Sequence, residues 1–135
     1  MRVVLDANVI VSGALTTHGT CGRILDLLGE AVFEICADDR ILDEYARVLR
    51  RPELQIDPDD GAAVLDLVRF VAQLVAAVPL AVKLPDADDM PFLEVAAAAE
   101  AVLVTGNARH FPSRARAGVL VLTPAEFLEV LRHAG

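Results

Sequence analysis

The sequence is poor in aromatic residues and in cysteine. Its 135 residues include five phenylalanines, one tyrosine and no tryptophan, so aliphatic side chains must form most of any hydrophobic core. The two cysteines, Cys21 and Cys36, form no CxxC motif, and the chain has only three histidines. This set predicts neither a zinc site nor a disulfide framework.

The sequence also lacks a long apolar run. The uncharged stretch at residues 70–82 is interrupted by Gln73 and Pro79, whereas a membrane-spanning helix needs about 20 consecutive apolar residues. The first residues lead directly to Asp6, without the apolar segment and cleavage site of a signal peptide. We therefore expect a cytoplasmic protein with no membrane span.

Basic residues are outnumbered by acidic ones. Twelve Lys and Arg against twenty Asp and Glu give a net charge of −8, which is the wrong sign for a protein that coats nucleic acid non-specifically. The hydrophobic fraction of 55% excludes a disordered chain. Because a domain usually has about 100–200 residues, we expect residues 1–135 to form a single domain.

Short apolar runs alternate with segments of helical periodicity. Buried strands are predicted at residues 3–5, 32–37, 101–104 and 119–122. Helices are predicted at residues 20–28, 39–51, 59–78 and 91–100, and a last helix starts at 124 with Thr123 and Glu126 as its capping box. Residues near Val82 form a short strand or a linker. The pattern predicts a three-layer α/β/α domain with a mostly parallel central sheet of four to five strands.

Polar side chains follow the predicted strands, where parallel sheets have their ligand crevice. They are Asp6 and Asn8, Asp38 and Asp39, and Thr105 and Asn107. Glu44, early in its helix, can face the same crevice, and Asp86, Asp88 and Asp89 precede another helix. Converging carboxylates repel each other unless a cation neutralises them, and oxygen ligands favour Mg²⁺ or Mn²⁺. We therefore predict a metal site suited to phosphodiester hydrolysis.

Four segments, in this order and spacing, resemble the successive motifs of the PIN domain. They are residues 4–12 (VLDANVIVS), 42–52 (LDEYARVLRRP), 86–94 (DADDMPFLE) and 104–107 (VTGN), and the chain ends with a TPAEFL segment that also fits. The resemblance covers essentially the whole chain. It is closest to the small PIN toxins of toxin–antitoxin pairs, the VapC-type ribonucleases.

The resemblance implies a metal-dependent endoribonuclease that uses Mg²⁺ or Mn²⁺. Its motifs match Asp6, Glu44 and Asp89 to the metal ligands, and Asn107 to the position where many members have a fourth acid. The supporting positions are Asn8, Ser12, Thr105, Asp86 and Asp88. Because Asn107 carries no charge, the choice between one and two metal ions stays open. Met90 stands where some members of the family have another acid, so a share of Asp86 or Asp88 in the role of Asp89 stays open too.

Several of these residues also have purely structural interpretations. Glu44 has Arg40 and Arg47 at ion-pair spacing on its helix. Asp86 and Asp88 are typical of helix caps and solvated loops, and Gly106-Asn107 is an ordinary turn dipeptide. We interpret His110 as a surface residue and not as a general base.

RNA and protein partners follow from two further features. Arg40, Arg47 and Arg51 repeat at the spacing of the Glu44 helix face, and Arg109 follows Asn107; we predict RNA contacts for Arg47, Arg51 and Arg109. The predicted helix at 59–78 is apolar nearly all round, which predicts a homodimer, an antitoxin partner or both.

Two other functions fit part of the pattern. A PIN module without the fourth acid would bind RNA or a protein without cutting it. A phosphoacceptor receiver domain is disfavoured because it needs a lysine from a late strand, and Lys83, the only lysine, precedes the acidic loop.

Overall fold

The computed structural model describes residues 1–134, which form one five-stranded sheet and six helices. The strands are β1 (Arg2–Leu5), β2 (Glu34–Ala37), β3 (Gln73–Leu74), β4 (Val102–Val104) and β5 (Val121–Leu122). The helices are α1 (Ala7–Leu15), α2 (Thr20–Gly29), α3 (Asp39–Leu49), α4 (Pro58–Val71), α5 (Met90–Ala99) and α6 (Pro124–Ala134). Within the described range, no helix is both long and apolar enough to cross a bilayer.

The sheet is parallel throughout, with strand order β3-β2-β1-β4-β5. This confirms the predicted α/β architecture. The chain passes from β1 to β2 on one side and returns to β4 on the other, so β1 lies at the point where the strand order reverses. Parallel sheets form their ligand crevice at such a point, which is where Asp6 leaves β1.

The prediction of one helix at 59–78 is wrong in its second half. Helix α4 ends at Val71, Ala72 is extended (φ −64°, ψ 135°), and Gln73 and Leu74 pair with Cys36 and Ala37 of β2 as a fifth strand. A short apolar run fits a helix or a buried strand equally well. Here the segment forms a strand because it pairs with β2, which is distant in sequence. Val82 lies in an irregular segment after β3 and not in a strand.

Helix starts follow their capping residues. Helix α3 begins at Asp39, as the sequence predicts, and its N-cap is Asp38, which accepts a hydrogen bond from Ile41 N at 3.1 Å. The capping box of α6 is confirmed: Thr123 N donates to Glu126 Oε1 at 2.8 Å, and Glu126 N donates to Thr123 Oγ1 at 3.2 Å.

Helix α3 is fixed to the carboxyl end of β1 by Tyr45. This side chain is fully buried, and its hydroxyl donates a hydrogen bond to the carbonyl oxygen of Leu5. A buried hydroxyl without a partner would cost about 1–3 kcal/mol, so the bond favours one placement of the helix. That placement brings Glu44, the residue before Tyr45, towards the end of β1.

Candidate metal and nuclease site

The site is built around Asp6, the residue that follows β1. Asp6 is only 5% exposed, and its side chain makes no capping bond to α1. Instead it accepts a hydrogen bond at Oδ2 from Thr105 Oγ1 at 2.7 Å. Leu5 of β1 pairs with Val104 of β4. The residues that follow them, Asp6 and Thr105, therefore lie side by side. Sheet register therefore positions this carboxylate.

The electrostatic surroundings of Asp6 connect it to two other side chains. Burial raises the pKa of Asp6, and hydrogen bonds from Thr105 and from the backbone of Ala7 oppose that rise. The charge of His110 also lowers this pKa, and that of Glu44 raises it. Glu44 and His110 are thus close enough for their charges to act on Asp6.

Asp89 lies beside Asp6 at the start of α5. Burial and the negative charge of Asp6 raise the pKa of Asp89 to about 6, and His110 partly opposes the shift. His110 Nδ1 is 2.9 Å from Asp89 Oδ2, within ion-pair distance when the ring is protonated. The contact does not have hydrogen-bond geometry, so within residues 1–134 Asp89 Oδ2 is a buried oxygen without a donor.

This pair of carboxylates fits a divalent cation. A buried polar oxygen without a partner costs about 1–3 kcal/mol, and more when it is charged. A neighbouring carboxylate adds repulsion. Carboxylate oxygens are the ligands that Mg²⁺ and Mn²⁺ prefer, and such an ion would relieve both costs. In the described part of the chain, however, no three His, Cys, Asp or Glu side chains are gathered closely enough to ligate one ion.

Glu44, the third predicted ligand, is paired with Arg47. The guanidinium donates from Nε and Nη2 to Glu44 Oε2 and Oε1 at 2.9 and 2.5 Å. Both carboxylate oxygens are therefore engaged, as the structural interpretation of Glu44 allowed. The structure thus brings Asp6 and Asp89 together and places Glu44 next to them with a basic partner of its own.

Two hydrogen bonds connect the loop after β4 to the site. Asn8 Oδ1 accepts a hydrogen bond from Gly106 N at 3.2 Å, and Thr105 Oγ1 accepts one from Asn107 N at 3.0 Å. The Thr105 hydroxyl therefore links Asn107 to Asp6. These contacts place Asn107 next to the site.

Three other predicted supporting residues have local partners. Asp86 Oδ1 accepts a hydrogen bond from Asp88 N at 2.9 Å, which makes it the cap of a short turn before α5. The charge of Asp86 also raises the pKa of Asp89. Ser12 lies beside Cys21: burial raises the pKa of that thiol, and the Ser12 hydroxyl lowers it in part.

An ion pair between the buried Glu94 and the exposed Arg40 was not indicated by the sequence. Glu94 of α5 is 8% exposed; its Oε1 accepts from Arg40 Nη1 at 2.8 Å, and its Oε2 accepts from Leu80 N at 3.1 Å. Arg40 also donates from Nε and Nη2 to Asp38 Oδ2 at 2.9 and 2.8 Å. The sequence signal that could have revealed this ion pair was Glu94, an acid among the apolar residues of the predicted helix at 91–100. The network attaches the segment before Asp86 to α3 and α5.

The basic residues differ from the sequence-based picture in two respects. His110, interpreted from the sequence as a surface residue and not as a general base, is partly exposed, and its ring contacts Asp89. Arg51 lies beyond the end of α3 at Leu49, so the helical spacing that grouped it with Arg47 does not apply. Arg109 is exposed in the short turn that ends at His110.

The architecture and the site residues can now be compared with known proteins. The family profile described as PIN domain matches residues 2–109. The chain belongs to the PIN-domain family. The motif resemblance is thereby confirmed, and the match covers Asp6, Glu44, Asp89 and Asn107. PIN domains are generally nucleases, and they typically use divalent metal ions.

Two relatives of this PIN domain extend the comparison. A Methanocaldococcus jannaschii protein named as uncharacterised is 26% identical over 140 residues, covering 96% of this chain and 90% of the relative. The crystal structure of VapBC2 from Rickettsia felis, bound to a DNA fragment from their promoter, matches with a TM-score of 0.59 at 17% identity. That match covers 91% of this chain and 98% of the other. At this identity the likeness shows the fold.

Proposed function

We propose that this PIN domain is a Mg²⁺- or Mn²⁺-dependent endoribonuclease and the toxin of a toxin–antitoxin pair. The observation that carries the proposal is the buried Asp89 oxygen without a donor beside the buried Asp6. Asp6 and Asp89 would hold the ion. Glu44 would become a third ligand by giving up its ion pair with Arg47. The bound ion would activate a water and polarise the phosphoryl oxygen.

The remaining side chains of the site position these groups. Thr105 holds the Asp6 carboxylate in one orientation through its 2.7 Å bond. Asn107, held next to it through the same hydroxyl, would position a water or a second ligand without adding negative charge. His110 would offset part of the charge of Asp89 before the ion binds. This arrangement favours one strongly held ion.

Cleavage of a labelled single-stranded RNA tests the proposal. The wild-type protein should cut it with Mg²⁺ or Mn²⁺ present and stop when EDTA is added. Asp89→Asn should slow cleavage by at least about 100-fold, in line with the loss of a ligand to a catalytic ion. The control Asp26→Asn changes an exposed acid of α2 and should cut normally. Cleavage that persists in EDTA, or that Asp89→Asn leaves unchanged, would overturn the proposal.

A second candidate is a PIN module that binds RNA or a protein without cutting. The observations that favour it are the neutral Asn107 and the Glu44 carboxylate occupied by Arg47. Calorimetry with millimolar Mn²⁺ separates the two candidates. Saturable binding that is lost in Asp6→Asn supports the nuclease, and the absence of any binding supports the module.

The partners are also proposals. The VapBC2 structure contains a toxin with its antitoxin, and we propose an antitoxin chain as partner here, with the cytoplasm as the location of both. We propose a homodimer from the exposed apolar residues in the last turn of α4 and in the segment after it: Phe70, Leu74 and Val78 are 90%, 68% and 70% exposed. Apolar surface of this kind usually marks an interface.

A further inference from the structure

A cavity of about 400 Å³, whose lining includes none of the predicted metal ligands, lies between the end of α3 and α4. Its floor is apolar: Leu49 and Leu65 are buried, and Ile56 is partly buried. Small-molecule and nucleotide-sized ligands usually occupy pockets of about 300–1,000 Å³ with mainly apolar walls. The cavity therefore has the size and the floor of a ligand site.

The rim of this cavity is positively charged. Arg50, Arg51 and Arg69 are exposed and line it, together with one acid, Asp66. Among residues 1–134, none of these three arginines has a carboxylate within 4.0 Å. A chain with a net charge of −8 thus gathers three unneutralised guanidinium groups around one pocket.

We propose that this cavity binds the backbone and one base of single-stranded RNA, beside the site of cleavage. The inference rests on the proposed ribonuclease function. Guanidinium groups bind phosphate oxygens in a bidentate manner, and an apolar floor gives an unpaired base a surface on which to pack. The cavity would hold the strand, while the carboxylates would carry out the chemistry.

The position of the cavity favours RNA over an acidic peptide. Arg50 follows α3, the helix that carries Glu44, and at 1.5 Å per residue the two lie about 9 Å apart along its axis. One strand can therefore reach both. Arg40 and Arg47 are engaged by Asp38, Glu94 and Glu44, so the unpaired charges of this helix region are those at the cavity.

The test compares two double variants that remove the same charge. Both are made in an Asp6→Asn background, so that the RNA stays intact. Arg50→Gln with Arg69→Gln alters the cavity, whereas Arg23→Gln with Arg132→Gln alters a different groove between α2 and α6. Fluorescence anisotropy with a labelled single-stranded RNA measures affinity over a series of salt concentrations, and circular dichroism checks that each variant is folded.

The cavity variant should bind RNA at least about tenfold more weakly near 0.1 M salt. Its plot of log affinity against log salt should be shallower by about 1.4, since each phosphate contact to single-stranded nucleic acid contributes about 0.7 to the slope. The control should stay within about twofold of the parent. In the wild-type background, the cavity changes should raise KM and leave kcat within about twofold.

Other results overturn the proposal in distinguishable ways. Equal weakening in both double variants would indicate a general charge effect, and unchanged affinity in the cavity variant would exclude the cavity. Loss of binding to a labelled polyglutamate peptide, with RNA affinity intact, would assign the cavity to a protein partner. If wild type cuts RNA but the cavity variant behaves like its parent, only this proposal fails; if wild type neither binds nor cuts RNA, the proposed function fails with it.

Discussion

Asp6, which is buried, and Asp89, which is partly buried, are neighbouring carboxylates with unequal hydrogen bonding. Asp6 accepts a hydrogen bond from the Thr105 hydroxyl. Within the described residues, Asp89 Oδ2 has no hydrogen-bond donor and lies within ion-pair distance of His110. Without a cation, an ionised Asp89 destabilises the fold at neutral pH. A site that binds metal accepts this cost and recovers it when the ion binds.

Asp89→Asn should therefore stabilise the metal-free protein. The pKa of Asp89 is raised from 3.8 to about 6 in the folded chain, so its contribution to stability is complete below about pH 4 and is lost as the pH rises through 6. In EDTA at pH 8 the variant should gain on the order of 2 kcal/mol, or several degrees in Tm, over the wild type. Thermal melts at pH 4 and pH 8 measure the difference.

The gain should disappear at pH 4, where the wild-type carboxyl is protonated, and Mn²⁺ should raise the Tm of the wild type alone. A variant that is less stable than the wild type at pH 8 in EDTA would show that Asp89 is satisfied in the folded protein. The carboxylate would then have no need of a cation.

Thr105→Val tests whether the hydroxyl positions Asp6. The variant keeps the shape of the side chain but removes the donor to Asp6 and the acceptor for Asn107 N. It should lose about 1–3 kcal/mol of unfolding free energy and bind Mn²⁺ about 10–100-fold more weakly, as when other supporting hydrogen bonds of metal ligands are removed. Thr105→Ser, which retains the hydroxyl, should keep most of both. Normal Mn²⁺ affinity in Thr105→Val would exclude a positioning role.

At the scale of elements, the Arg40–Glu94 pair fixes the segment that leads from β3 to Asp89. Glu94 receives hydrogen bonds from Arg40 and from Leu80 N, and Arg40 also binds Asp38 at the start of α3. Three parts of the chain that surround the site therefore meet at one buried carboxylate. Removal of Glu94 would leave Leu80 N without this acceptor, whereas Arg40 would keep its bond to Asp38.

Glu94→Ala should cost about 1.5–3 kcal/mol, the range for hydrogen bonds to a charged group, because Arg40 stays exposed and keeps Asp38 as its partner. Glu94→Gln keeps an acceptor for Leu80 N and should cost less. Urea unfolding measures both, and hydrogen exchange should show faster exchange at Leu80 in Glu94→Ala, with β1 unaffected. If Glu94→Ala unfolds like the wild type, the pair contributes no net stability and does not fix the segment.

Much of the sheet and two of the site residues could be predicted from local sequence. An apolar run that ends in Asp6 specifies a buried strand with an acid at its carboxyl end, and Asp89 precedes a helix with proline in its first turn. The features that could not be predicted depend on distant partners. Leu74 pairs with β2, and the segment between Asp6 and Ser12 forms a helix although it contains β-branched Val9 to Val11.

The site shows the same division. The Glu44–Arg47 ion pair could be predicted as the structural interpretation of Glu44, because its two residues lie only three positions apart on α3. The Asp6–Thr105 bond joins residues 99 positions apart, and the Arg40–Glu94 bond joins residues 54 apart. Contacts between residues so far apart in sequence depend on the strand order and on helix packing, which a local sequence pattern does not specify. The contact of His110 with Asp89, the residue before α5, could not be predicted for the same reason.

At the scale of the whole molecule, apolar surface on one side predicts self-association. Phe70, in the last turn of α4, is 90% exposed, and Leu74 is 68% exposed on β3, the strand at one edge of the sheet. Light scattering after gel filtration should show a dimer for the wild type and a monomer for Phe70→Ser with Leu74→Ser. Leu120→Ser changes an exposed leucine elsewhere and should stay dimeric. A monomeric wild type would contradict the homodimer.

The net charge of −8 and the paired carboxylates together make metal the expected link between this acidic molecule and RNA. The most direct measurement is the rate of single-stranded RNA cleavage as Mn²⁺ is titrated into the wild type and into Asp6→Asn. The wild-type rate should rise from zero to saturation, and Asp6→Asn should stay at background at every Mn²⁺ concentration while remaining folded. A folded Asp6→Asn protein that cuts RNA at the wild-type rate would contradict the assignment of Asp6 and Asp89 to a catalytic ion.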